Sequence, residues 1–300
     1  MRSAWIVNLL LLTGVVGLVI FAIYRPKQEQ SPQYRISAMA GAQVQHIVIE
    51  PKGGTAIELE KRGDGWFLLR PYAARADRAQ VERLLELLSV SSKEKLAATD
   101  LKRFDLDDPP LKVTFDKETL AFGTSNPLSQ DQYVLSGDGV YLLSAFYTSL
   151  VPQRAERLLA HSLFRENEKP TAFRYKDFLL EQQDGKWQLT PSPASAQEKP
   201  GQDEINRWVD EWRFASSLLT QPATAKVPTQ TIEIRLADGS TLKLGVLETT
   251  PELILLRSDE KLQYHFSGEV GRRLLSRPVA SPQTSEAKPP TSANSAVKTP

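Results

Sequence analysis

Ala56 to Arg70 reads AIELEKRGDGWFLLR, and Phe178 to Thr190 reads FLLEQQDGKWQLT. In each stretch apolar and polar residues alternate on both sides of a glycine-containing turn, Gly63-Asp64-Gly65 in one and Asp184-Gly185 in the other, which predicts a β-hairpin. Trp66 and Trp187 stand just past the turns, about 121 positions apart. A proline follows each hairpin, Pro71 or Pro191, and then the period changes to that of an amphipathic helix. Val81, Leu84, Leu85 and Leu88 form the apolar face of the first helix; Ile205, Trp208, Val209, Trp212 and Leu219 form that of the second. Asp77 and Gln80 suit the start of the first, and the second is expected to begin near Gly201.

The same offset continues outward from these elements. LKVTFDKETLAFGT from Leu111 corresponds to IEIRLADGSTLKLG from Ile232, two hairpins in which Phe115 matches Leu236 and Gly123 matches Gly245. QYVLSGDGVYLLS from Gln132 corresponds to ELILLRSDEKLQYHF from Glu252, with Tyr133 opposite Ile254, and a short closing helix is expected after each. So many elements recurring in one order point to an internal duplication. The expected fold class is α+β: two tandem copies, residues 44–165 and 166–276, each an antiparallel sheet covered by a helix.

Ala4 to Tyr24 reads AWIVNLLLLTGVVGLVIFAIY, 21 residues without a charge. As a helix it would span roughly 31 Å, the thickness of a bilayer's hydrocarbon core. Trp5 and Tyr24 mark its ends, Arg25 and Lys27 follow, and Ala22-Ile23-Tyr24 is a poor cleavage site. Residues 1–24 are therefore expected to be an uncleaved transmembrane anchor that meets the lipid bilayer through residues 4–24. Residues 25–43 read as a linker, and residues 277–300, rich in proline, serine and threonine, read as a disordered tail. Flanking charges on both sides leave the orientation open. A short N-terminal tail before one span is the usual signal-anchor arrangement, and it predicts a single-pass bacterial inner-membrane protein with its C-terminal bulk in the periplasm.

Composition narrows the chemistry. Lys plus Arg total 37 against 36 Asp plus Glu, so a formal charge of +1 supplies no general attraction for nucleic acid. The lack of cysteine excludes disulfides, thiolate nucleophiles and cysteine metal sites while suiting an oxidising compartment. The three histidines, His46, His161 and His265, lack the spacing of a helical metal pair. They could meet a serine and an aspartate in space, yet no nucleophile elbow accompanies them, and structural histidines are the default. Asp105, Asp107 and Asp108 could bind a cation, but they lack the glycine and terminal acid of a calcium loop, so a solvated turn is the commoner outcome. Ser136-Gly137-Asp138-Gly139 and Arg62-Gly63-Asp64-Gly65 lie between strands, where glycine serves a hairpin and not a phosphate. Trp66, Trp187, Trp208 and Trp212 could line a groove, but their positions fit core packing. These readings assign no catalytic, cofactor or metal residue.

Several of these stretches also carry a resemblance: Gly65-Trp66 before Pro71, Ala76-Asp77 opening the first helix, Phe104-Asp105-Leu106-Asp107-Asp108-Pro109, Phe122-Gly123, and Gln132-Tyr133-Val134. Over roughly residues 44–276 the chain resembles the bacterial membrane-anchored family of domain of unknown function 4340. Members of that family usually have glycine where Asp105 stands. They are often encoded beside gliding-motility-type ABC-transporter components, which implies an envelope accessory role and makes such components candidate partners. Together these readings predict a non-catalytic, membrane-tethered periplasmic binding or scaffolding protein in a transporter-like envelope complex. The alternative is a membrane-anchored envelope hydrolase with a site between the two copies.

Overall fold

The computed structural model describes residues 11–21, 32–191 and 199–280. Strands dominate them. Helix α1 (residues 11–21) is followed by β1 (Tyr34–Arg35), β2 (His46–Pro51), β3 (Ile57–Arg62), β4 (Gly65–Arg70), β5 (Ala74–Arg75) and α2 (Arg78–Leu85). Next come β6 (Ser91–Ser92), β7 (Lys95–Ala97), β8 (Leu111–Phe115), β9 (Glu118–Ser125), β10 (Gln132–Ser136), β11 (Gly139–Leu143) and α3 (Ala145–Ser149). The remainder comprises β12 (Pro170–Arg174), β13 (Leu179–Gln183), β14 (Lys186–Thr190), α4 (Gln202–Arg213), β15 (Leu219–Pro222), β16 (Gln230–Leu236), β17 (Thr241–Glu248), β18 (Leu253–Arg257), β19 (Leu262–Phe266) and α5 (Gly268–Leu275).

The expected class, α+β with an N-terminal transmembrane helix, is thereby corrected. The protein is mostly β-sheet, and its helices are short, 12 residues in α4 and 8 in α2 and α5. Among the described residues no helix is long and apolar enough to cross a membrane. The described residues of α1, 11–21, rise about 16 Å. Residues 4–10 and 22–24 of the expected anchor lie outside the described residues, as do residues 25–31 of the expected linker and residues 281–300 of the expected tail.

Two compact units interleave along the chain. One takes Met1–Val44, Pro51–Gly53 and Leu84–Val151; the other takes Gln45–Glu50, Gly54–Arg83 and Pro152–Pro300. In the first unit five strands run in the order β8-β9-β10-β11-β7, all antiparallel neighbours. The chain leaves the edge strand β7 and must return to β8 at the far end, so the segment between them lies across one face. It buries Phe104 and Leu106 against Ala121 and Val140. Gly123 of β9 makes room for that passage: a Cβ there would overlap the Phe104 carbonyl oxygen and stand 3.0 Å from the Leu106 side chain.

The second unit carries β5-β4-β3-β2 and an eight-stranded sheet ordered β14-β13-β12-β16-β17-β18-β19-β15. Its last five strands repeat the order of β8-β9-β10-β11-β7, and β14-β13-β12 repeats that of β4-β3-β2. The segment from β15 to β16 likewise crosses a face, with Pro228 over Gly245, where an added Cβ would sit 2.5 Å from the Pro228 ring. The opposite face holds Ile234, Leu244, Leu255, Tyr264 and Phe266, all fully buried. Against it α4 lays Trp208 and Trp212, whose rings stand 5.0 and 5.7 Å from that of Phe173. Their indole nitrogens donate to the Ser276 and Leu274 carbonyls, so both rings belong to the core with their polar atoms satisfied. Trp66 and Trp187 are buried as well.

Local chemistry explains most boundaries. Asp184 and Gly185 both take positive φ, 50° and 77°, the backbone of a tight type I′ hairpin turn. The Asp77 carboxylate accepts from the Gln80 amide at 3.0 Å and caps α2. Two expectations shift. Leu87 joins Val81, Leu84 and Leu88 in the buried set because the helix tightens to a 3₁₀ turn over Glu86–Ser89, which places residues three apart on one side. Leu219 does not extend the face of α4: the helix closes at Phe214, and Leu219 opens β15, 43% exposed. Asp105 has φ 55°, a left-handed conformation that glycine adopts without cost, which explains why glycine suits this position.

The edge strand β14 is blocked by one side chain. The Gln202 carboxamide accepts from the Trp187 amide at 2.9 Å and donates to the Trp187 carbonyl at 2.8 Å, so it mimics a neighbouring strand.

Candidate functional site

The second compact unit encloses a cluster of charge. Arg257 continues the inward-facing register of Leu253 and Leu255 on β18, and its side chain is 0% exposed. Its guanidinium grips both Glu168 carboxylate oxygens at 2.8 and 2.9 Å and both Asp259 oxygens at 2.7 and 3.2 Å. It also donates to the Leu163 carbonyl at 2.6 Å. All five of its N–H donors are thereby used.

A second arginine meets the same cluster from β5. Arg75 donates to Glu260 Oε1 at 2.8 Å and Oε2 at 3.2 Å, to the Ser162 carbonyl at 2.8 Å and to the Tyr264 hydroxyl oxygen at 3.0 Å. Tyr264 in turn donates to Glu260 at 2.6 Å. Arg165 closes the outer side, with Nε 3.1 Å from Glu260 and Nη2 3.4 Å from Asp259. Three arginines thus face three carboxylates and the cluster is neutral.

Burial by itself would raise the pKa values of Glu260, Glu168 and Asp259. The guanidinium hydrogen bonds and charges outweigh burial and hold all three carboxylates below their ordinary values. Burial, with Glu260 beside it, pushes the Tyr264 phenol up, although Arg75 pulls the other way. A group whose native pKa is depressed adds stability that is complete above its unfolded value and lost as pH falls through the native one. The urea midpoint of this unit is therefore expected to hold steady from about pH 7 to about pH 5 and to decline below about pH 4.5, the range of unfolded carboxylates. The four described tryptophans, all in the second compact unit, provide the readout. A midpoint that stays flat down to about pH 3 would contradict the assignment.

Two clefts flank the cluster. One, about 460 Å³, is bounded by Arg62, Trp66, Arg75, Asp77 and Phe164. The other, about 720 Å³, is bounded by Phe67, Tyr72, Arg75, Arg165, Lys261 and Leu262. Tyr72 has no hydrogen-bond partner for its occluded hydroxyl among the described residues, and burial together with the nearby Glu156 charge raises its pKa to about 12.

The histidines sit apart from the cluster. His161 Nδ1 lies 3.3 Å from Ser217 Oγ, which also meets Thr220 Oγ1 at 2.8 Å. His265 Nδ1 lies 2.9 Å from Glu252, and its Nε2 meets the Gln221 and Gln263 amides at 3.1 Å. His46 lies on β2, opposite Glu60 in the register. Asp108 pairs with Lys52 at 2.7 Å, and among the described residues no three His, Asp or Glu side chains converge as metal ligands. The glycines of Arg62–Gly65 and Ser136–Gly139 form hairpin turns.

Sequence reasoning named none of the cluster. Arg257 had a signal, a charged residue in phase with two buried leucines on a strand. Glu168 and Arg165 lie in loops with no period, and Arg75 meets Glu260 across 185 positions of sequence.

A family model described as "Domain of unknown function (DUF4340)" matches residues 66–231, more than half of the chain. No curated protein and no solved structure matches it.

Proposed function

The chain belongs to the DUF4340 family of domains of unknown function, and on that premise we propose that it is a non-catalytic binding or scaffolding protein, an accessory component of a transporter-like envelope complex acting in the periplasm. The observation that supports this reading is the saturation of the buried charge. Arg257 uses every donor it has, and Glu168, Asp259 and Glu260 are held ionised by arginines, so the cluster lies between two clefts with no carboxylate poised to exchange a proton. A cysteine-free chain tolerates an oxidising compartment.

A second reading, an envelope hydrolase, draws on the Ser217–His161 contact. Against it, Ser217 is 6% exposed and its hydroxyl is already engaged by Thr220. Crosslinking in cells, followed by purification of the full chain from envelopes, is expected to capture membrane-complex proteins. His161→Ala is expected to leave that capture and the cellular function intact. A histidine variant of unchanged stability and abundance that abolishes function would move the hydrolase reading to first place.

A further inference from the structure

The 720 Å³ cleft lies beside the neutral cluster, yet its lining is not neutral. Arg75, Arg165 and Lys261 face it against Asp259 and Glu260, which leaves one positive charge in excess. The two carboxylates are engaged, Glu260 by Arg75 and Tyr264 and Asp259 by Arg257. Lys261 differs from the other two cations. It stands exposed in the β18–β19 turn at φ 54°, and its ammonium has no hydrogen bond or ion pair among the described residues. Arg165 is held by Nε and Nη2, while its Nη1 has no partner among them. An anion entering the cleft would therefore meet an exposed ammonium and a guanidinium already held in place, the second at little ordering cost.

The remaining lining sets the kind of anion. Phe67 and Pro222 supply apolar wall, and the volume is that of a ligand site. Beside the cleft the Arg75 carbonyl already accepts from the Ala160 amide at 3.0 Å and Pro222 carries no N–H, so an occupant meets side chains and not a free strand edge. The carboxylates in the floor oppose a dianion such as phosphate, whereas a single surplus positive charge suits a carboxylate.

We propose that this cleft binds a peptide segment of a partner protein that presents one carboxylate beside aliphatic side chains, with Lys261 and Arg165 as its cationic contacts. The proposal rests on the binding-protein reading and gives its partner a chemistry.

The test uses the full chain and a fluorescein-labelled peptide with one glutamate between leucines, beside a twin with glutamine in place of glutamate, read by fluorescence anisotropy. The glutamate peptide is expected to bind more tightly than its twin and to weaken as salt rises. Lys261→Gln is expected to lower its affinity about threefold to fivefold, and Lys261→Glu about tenfold or more. Both variants should keep the parent melting temperature, because Lys261 lies outside the buried network. Equal binding of the two peptides, or unchanged affinity in Lys261→Glu, would overturn the proposal. Displacement by millimolar inorganic phosphate as effective as by unlabelled peptide would also overturn it, in favour of a phosphate site. Envelope capture separates this inference from its premise. Partners retained at parental level by Lys261→Glu would sink the cleft assignment and leave the binding reading standing, whereas loss of those partners would support both.

Discussion

Replacing Arg257 with methionine is expected to destabilise the second compact unit by about 3–5 kcal/mol, the cost of removing one partner from a buried ion pair. The magnitude follows from what remains behind. Glu168 would lose its two short bonds and Asp259 two more, while the Leu163 carbonyl would lose its 2.6 Å donor and keep the Arg75 guanidinium at 3.5 Å. Glu168 would keep only Arg165, 3.6 Å away, and the Arg165 amide at 2.8 Å. Lysine is expected to recover little, because an ammonium cannot reach two carboxylates with paired, planar donors. A double variant, Arg257→Met with Glu168→Gln, should recover a substantial part of the loss, since the damage lies in the stranded charge more than in the missing attraction. Urea titration of the single and double variants, followed by tryptophan fluorescence, measures both effects. A cost below about 1 kcal/mol for Arg257→Met would show that the cluster contributes no more than a surface pair.

Gly123→Ala is expected to cost the first compact unit about 3 kcal/mol, at the upper end of overpacking. The neighbour that an added Cβ meets is the Phe104 carbonyl, and a backbone group cannot rotate away as a side-chain end can. Relief requires the segment between β7 and β8 to lift, which would expose Phe104 and Leu106 and open their contact with Ala121 and Val140. Gly245→Ala meets the Pro228 ring at 2.5 Å and should also destabilise its unit, by less because a proline ring can shift. A third substitution, Gly53→Ala, tests the geometry from the other side. It has nothing within 4 Å and is strained only by φ 72°, so its cost should stay near 1 kcal/mol. Thermal melts by far-UV circular dichroism, with hydrogen exchange of the β9 amides, rank the three. If Gly123→Ala melts with Gly53→Ala, the crossing segment is not packed as described.

Much of the secondary structure could be read from short stretches of chain, because a hairpin or an amphipathic helix writes its period into neighbouring residues. The Asp184-Gly185 turn, the Asp77 cap and the apolar face of Ile205, Trp208, Val209 and Trp212 all depend on contacts within a few positions. The correspondence of Gly123 with Gly245 was visible too, but not its cause, because the segments that press on these glycines carry no pattern that links them to the strands beneath. The Ala4–Tyr24 run is a local signal as well, and among the described residues no helix is long and apolar enough to cross a membrane. The charge cluster was hidden most completely. Arg257 meets Glu168 across 89 positions and Arg75 meets Glu260 across 185, and although Arg257 falls in phase with its strand's leucines, nothing periodic links partners so far apart in sequence. The sequence by itself determined which residues alternate, turn and cap, since local sterics and hydrogen bonds suffice for those. Only the tertiary structure decided which charges share the interior, because a buried guanidinium is stable solely where folding brings carboxylates to it.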